Sequence, residues 1–176
     1  MKNHLLSALT LISFFILPAN RGSGSLQEDS NSSIVVPLPP SEATIHGAPR
    51  FEKGDPDLID NWRSRSDWIR WTPKFPKPGI YKVIMEYSVA TAPSKVEVAV
   101  GEQGLHANLE FTDTWKNFCT HYLGEVQIQK AGTIPVRLSS IENTGLWIMN
   151  LRMIRFIRTD AQVLEDPPQR AIHPAL

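Results

Sequence analysis

Cysteine is almost missing from this chain: Cys119 stands alone among 176 residues, so no intramolecular disulfide can form and the fold must be held by its packed core. Net charge is missing as well. The 18 Lys and Arg residues balance 18 Asp and Glu residues, and loss of a leader carrying Lys2 and Arg21 would leave about two net negative charges. Such a balance gives no footprint for nucleic acid or for an anionic membrane. The apolar run from Leu5 to Leu17 falls short of the roughly 18 to 20 residues that a membrane-spanning helix needs, so stable membrane insertion is not expected.

Recognisable catalytic machinery is absent too. The chain has no G-x-S-x-G segment to present a serine nucleophile. Its histidines, at positions 4, 46, 106, 121 and 173, form no i, i+4 pair and have no cysteine companions, so a zinc site is not supported. Cys119 and His121 point the same way along a strand, but activation needs close, oriented approach, and a small half-buried thiol is the simpler reading. No carboxylate pair is singled out for glycoside hydrolysis, whose geometry only the fold can set. A catalytic function is not expected.

What is present begins with an export signal. Lys2, the apolar run, then Pro18, Ala19 and small polar residues have the layout of a signal peptide over residues 1–22, which predicts a secreted or periplasmic protein. Residues 23–34 are rich in Ser, Gly, Asn and acidic side chains and read as a flexible linker. Residues 159–176, with Pro167, Pro168 and Pro174, read as a C-terminal tail. One domain, residues 35–158, remains between them, long enough to bury a sizeable core.

Within that domain the apolar period is two. Tyr81, Val83, Met85 and Tyr87 alternate with polar neighbours, as do Val96, Val98 and Val100, Val126 and Ile128, and Ile134, Val136 and Leu138. Pro78-Gly79, Gly101, Gly124, Ala131-Gly132 and Gly145 punctuate these runs at spacings suited to antiparallel connections. The prediction is an all-β fold, an antiparallel β-sandwich of the jelly-roll kind. The run Leu146 to Ile157 has apolar residues on both parities; a buried helix would fit, but its strand-rich surroundings favour a central strand.

Five tryptophans are many for such a domain. Trp71 shares strand parity with Ile69 and should face inward, whereas Trp68 shares parity with Arg70 and belongs at an edge or on the surface. Trp62 and Trp115 each stand in a polar stretch, Asp60-Asn61-Trp62-Arg63-Ser64 and Thr112-Asp113-Thr114-Trp115-Lys116-Asn117. A loop indole either closes the end of a sandwich or offers a flat face to the C–H side of a sugar ring, with nearby amides and charges bonding the hydroxyls. Asp55, Asp57 and Asp60 gather hard oxygen ligands in one loop, yet they lack the glycine and bidentate glutamate of a calcium loop and read as a solvated acidic turn.

Seven segments carry a resemblance in order and spacing. They are Ala43-Thr44-Ile45-His46-Gly47; Asn61-Trp62 with Asp67-Trp68-Ile69-Arg70-Trp71; Lys77-Pro78-Gly79-Ile80-Tyr81-Lys82-Val83; Thr114-Trp115-Lys116-Asn117-Phe118; Leu123-Gly124-Glu125-Val126; Lys130-Ala131-Gly132; and Met149-Asn150-Leu151-Arg152. From Glu42 to Phe156 the chain resembles the galactose-binding-like jelly rolls related to family 6 and family 35 carbohydrate-binding modules, and especially the non-catalytic domains appended to secreted bacterial sulfatases and α-L-fucosidases. The resemblance implies a glycan or polysaccharide as partner, with Trp62 and Trp115 as the stacking pair and Asn150 as the amide partner. If the same motifs are all core, the alternative is a structural or docking sandwich that packs on a secreted enzyme or envelope partner without binding glycan. Family 6 modules often hold a structural calcium between a glutamate near the first strand and an acid in the last; Glu42 matches the first position, but Arg152 stands at the second. No cofactor is therefore expected.

Overall fold

The computed structural model describes residues 33–159. The signal-peptide assignment, nearly all of the linker and the tail beyond residue 159 lie outside those residues. The alternation seen in the sequence becomes strand after strand: β1 (Val35–Leu38), β2 (Thr44–His46), β3 (Arg50–Glu52), β4 (Leu58–Asp60), β5 (Trp68–Trp71), β6 (Lys74–Phe75) and β7 (Gly79–Ser88). Then follow β8 (Ser94–Val100), β9 (Gln103–Asn108), β10 (Cys119–Ile128), β11 (Gly132–Thr133), β12 (Val136–Asn143) and β13 (Asn150–Thr159). One 3-10 turn, Pro40–Glu42, is the sole helical element among the described residues, and none of them forms a helix long and apolar enough to cross a membrane.

Two antiparallel sheets make the sandwich. One runs β10-β7-β13-β4-β3, with β1 added to β13; the other runs β2-β5-β12-β8-β9. A short β11-β6 pair forms a separate two-stranded ribbon. The period of two turns Tyr81, Val83, Met85 and Tyr87 of β7 inward, in register with Arg158, Phe156, Ile154 and Leu151 of β13. Ile69, Trp71, Val96, Val98, Val100, Val136 and Leu138 of the second sheet are buried in the same core. Phe75 meets Tyr81 and Phe156 edge-on, both at 5.2 Å between centroids. Each of these side chains, taken fully out of water, contributes about 1.5–3 kcal/mol, which is how a domain without a disulfide is held.

The tryptophans with strand parity fall where parity puts them. Trp71 is buried, its indole N–H donating to the Pro39 carbonyl at 2.9 Å. Trp68 is half-buried, stacked on His46 at 4.9 Å with the guanidinium groups of Arg137 and Arg70 nearby. The ambiguous run divides: residues 146–149 precede the strand, and β13 starts at Asn150. Gly47 is required where it stands. Its φ is +95°, and a Cβ there would collide with the Asp67 carboxylate, which is itself buried beneath the turn.

The antiparallel order brings four connections to one end of the sandwich: residues 61–67, 89–93, 109–118 and 144–149. They are tied to one another. The Ile148 N–H donates to the Trp62 carbonyl at 2.8 Å, Thr91 Oγ1 to the Trp147 carbonyl at 3.1 Å, and Thr144 Oγ1 to the Pro93 carbonyl at 2.6 Å.

Candidate functional site

Between those connections lies a cleft of about 360 Å³ lined by Asp60, Asn61, Trp115, Trp147 and Asn150. Asp60 ends β4 and Asn150 opens β13, and these neighbouring strands pair at Ile59 and Leu151, so the sheet itself sets one wall. Asn61 follows in the left-handed region at φ 56°, a conformation that asparagine tolerates, and its amide donates to the Ala48 carbonyl at 2.9 Å.

Trp115 is carried by a loop whose polar residues bond their own backbone. The buried Thr112 hydroxyl accepts the Val89 N–H at 2.9 Å, Thr114 Oγ1 accepts the Asn117 N–H at 3.2 Å, and Ser88 Oγ donates to the Trp115 carbonyl at 2.9 Å. The root of this loop is held by Tyr87, whose hydroxyl accepts the Glu110 N–H at 2.8 Å and lies 3.3 Å from His121 Nδ1. Burial is the main reason that the Tyr87 phenol is pushed well above its ordinary value; the Glu110 N–H opposes that shift. Local side-chain bonding of this kind competes with helix or sheet and fixes irregular backbone instead. The polar stretch around Trp115 therefore builds the loop's frame and leaves the indole half-buried at the cleft.

Of the three sequence-predicted site residues, the structure brings Trp115 and Asn150 together and removes Trp62. Trp62 is 1% exposed, sits in the hydrophobic core and donates its indole N–H to the Ser64 carbonyl at 3.1 Å, so it has no face to offer a ligand. The reason is one residue upstream. Strand alternation from the buried Ile59 would turn Asn61 inward and Trp62 outward, but the left-handed backbone at Asn61 reverses that parity. The polar company of Trp62 describes its neighbours and not its own direction.

Trp147 stands in the cleft wall instead, half-buried, with the Arg63 guanidinium 3.8 Å from its ring centroid. That contact covers one face of the ring and helps fix its plane. Sequence reasoning missed Trp147 because it begins a run that is apolar on both parities; the preceding Gly145, which packs against the 89–93 connection, was the available sign of a turn.

The residues present do not fit the calcium site that the resemblance raised. Glu42 is exposed on the 3-10 turn, and Arg152 is a cation committed to Glu86 at 2.6 Å and stacked on Phe118 at 3.8 Å. Among the described residues no three His, Cys, Asp or Glu side chains are grouped so as to hold a metal ion. Asp57 of the acidic turn accepts the Gly54 N–H at 3.0 Å, and Asp60 belongs to the cleft wall, so these carboxylates have separate tasks.

Solved structures with this architecture are numerous. The chain is similar to the C-terminal family 6 carbohydrate-binding module of a marine laminarinase from Zobellia galactanivorans, at 18% identity and TM-score 0.60 over 71% of this chain and 100% of that one. It is similar to a family 35 carbohydrate-binding module from Clostridium thermocellum, at 16% identity and TM-score 0.61 over 72% and 99%. A β-1,3-glucan-binding family 6 module from Bacillus halodurans matches at 20% identity and TM-score 0.57 over 70% and 95%. At these identities the likeness establishes the fold, the jelly-roll sandwich that the sequence predicted. No curated protein matches the chain significantly. A family model spans residues 50–158, which takes in β3 to β13 apart from the final Thr159 and every wall of the cleft, and the chain belongs to the family described as Domain of unknown function (DUF5077).

Proposed function

We propose that this domain is an exported, non-catalytic module that binds carbohydrate in the cleft between Trp115 and Trp147. The observation that carries the reading is the composition of one concavity: two indoles, the Asn61 and Asn150 amides and one carboxylate, Asp60. A pyranose ring needs an apolar platform for its C–H face and fixed donors and acceptors for its hydroxyls, and this cleft provides both. The β-1,3-glucan-binding and other carbohydrate-binding modules that share the fold support the same reading. A hydrolytic role fits less well, because general acid–base cleavage of a glycosidic bond calls for two facing carboxyl groups and the cleft wall supplies one.

A docking sandwich would bury its tryptophans for structural reasons alone, as Trp62 is buried. Trp115 and Trp147 favour the glycan reading because both border an open hollow. The test is binding of the purified protein to a panel of soluble and insoluble polysaccharides, beside the Trp115→Ala variant. Retention on at least one polysaccharide, lost in the variant at unchanged thermal stability, is expected. Binding to none, or binding indifferent to the substitution, overturns the proposal.

A further inference from the structure

The outer face of the second sheet carries an arrangement that folding does not explain. Register sets Arg70 of β5 directly across from Arg137 of β12, with Thr44 and Ala99 as the next residues along the same row. Both arginines are exposed. Like charges directly opposite each other on neighbouring strands cost stability, where opposite charges would add to it. Among the described residues no carboxylate lies within ion-pair distance of either guanidinium, and neither side chain donates a hydrogen bond. Glu97, diagonal to Arg137 in the register, is paired with His106 at 3.2 Å. The first sheet settles a similar case within the fold, since Arg152 and Arg155 share Glu86 at 2.6 and 3.5 Å.

The two unpaired cations are nonetheless held in place. Arg137 Cζ lies 5.1 Å and Arg70 Cζ 5.8 Å from the centroid of the Trp68 ring, and His46 stacks on that ring at 4.9 Å with 10° between the planes. Attraction to the indole gathers the guanidiniums around one half-buried mount. Each keeps five N–H donors in a planar fork that matches a carboxylate. The patch is also local, because Ala99 and the Glu97–His106 pair follow it on the next two strands. So small a patch does not suit a polyelectrolyte, which needs many contacts along its length. It suits a few carboxylates presented together on a protein, and Trp and Arg are the residue types that dominate binding energy at protein interfaces.

We infer that this face docks an acidic segment of a protein partner, with Arg70 and Arg137 taking adjacent carboxylates beside the Trp68–His46 stack. None of the four residues lines the Trp115–Trp147 cleft, so one domain can hold a glycan and a partner at once. Such a double hold raises the partner's effective concentration at the glycan. The docking face stands or falls independently of the carbohydrate reading.

The experiment is titration of a fluorescein-labelled peptide of alternating Glu and Ser with the full chain at low ionic strength, followed by anisotropy. Saturable binding is expected, weakened at least about tenfold by Arg70→Gln and by Arg137→Gln, as for the loss of one charge-assisted contact. Lys130→Gln and Trp115→Ala should leave it unchanged, and a peptide with Gln in place of Glu should not bind. Without any substitution, the Glu peptide should protect Arg70 and Arg137 from modification by phenylglyoxal, read by mass spectrometry. No saturable binding, equal affinity for the Glu and Gln peptides, affinity indifferent to both arginine substitutions, or absence of protection overturns the docking face. Tighter binding of polygalacturonate or heparin than of the peptide at these two arginines overturns the assignment to a protein partner.

Discussion

At one end of the sandwich Trp115 and Trp147 flank a cleft of about 360 Å³; at the other, a larger hollow of about 500 Å³ opens between the β8–β9 and β10–β11 turns with no aromatic ring in its wall. The amides differ as much as the rings. At the far end the Gln103 side chain both donates to the Gln127 carbonyl and accepts the Gln127 N–H, each at 2.9 Å, so its hydrogen bonding is used to bridge β9 and β10. At the cleft end Asn61 makes one such bond, and the loop polar groups around Trp115 bond to backbone in a way that sets the indole in place. Size alone does not make a recognition site. What separates the two ends is where polar side chains are spent on the frame and where rings are left beside open space.

The same contrast runs between two tryptophans of one end, and the largest predicted effect tests it. Trp62→Ala should lose about 3–5 kcal/mol of stability, as expected for emptying a core aromatic site, with a matching fall in the denaturation midpoint. Trp115→Ala should barely move that midpoint and should weaken glycan binding by about 2 kcal/mol, roughly 30-fold, as for an aromatic anchor at a binding surface. If the two substitutions exchange these phenotypes, the assignment of one ring to the core and the other to the site is wrong. At the opposite end, Lys130→Ala removes a wall residue of the aromatic-free hollow. It should leave affinity for the same glycan unchanged in a direct titration; a clear loss there would move the site to the far end.

The smallest effect concerns the support beneath the loop. Burial holds the Tyr87 phenol protonated beyond its ordinary pKa, so above about pH 10 the unfolded chain releases this proton while the native protein keeps it. The native state then binds more protons, and stability falls as pH rises further. Below that range both states carry the proton and Tyr87 contributes no slope. Tyr87→Phe should flatten the alkaline fall in urea-unfolding free energy, at the cost of the hydroxyl's bond to Glu110.

The fold was legible because burial in a sandwich obeys a period that a sequence displays. Tyr81 to Tyr87, Val96 to Val100 and Val136 with Leu138 alternate in the chain and face the core in the structure. The site was legible only in part. Trp115 and Asn150, both pointed to by the sequence, do line one cleft: a run of Thr, Asp and Asn builds the Trp115 loop by local hydrogen bonding, and Asn150 opens β13 beside it. Trp62 was read from its polar neighbours, which say nothing of its own direction; the left-handed backbone at Asn61 turns it into the core. Trp147 was missed because apolar neighbours on both sides hide where the loop ends and β13 begins. Backbone sign and the point at which a strand starts are set by tertiary contacts, such as the Asn61 bond to Ala48 and the Ile148 bond to Trp62, that join residues far apart in the chain.

The central claim is that Trp115 and Trp147, and not the core indoles, meet the ligand. Its most direct test is an NMR titration that follows the five indole N–H signals, assigned by single substitution, while a bound oligosaccharide is added. The account predicts that the Trp115 and Trp147 signals shift together and saturate, while those of Trp62 and Trp71, held by the Ser64 and Pro39 carbonyls, stay in place. Saturable binding in which neither cleft indole moves would contradict it.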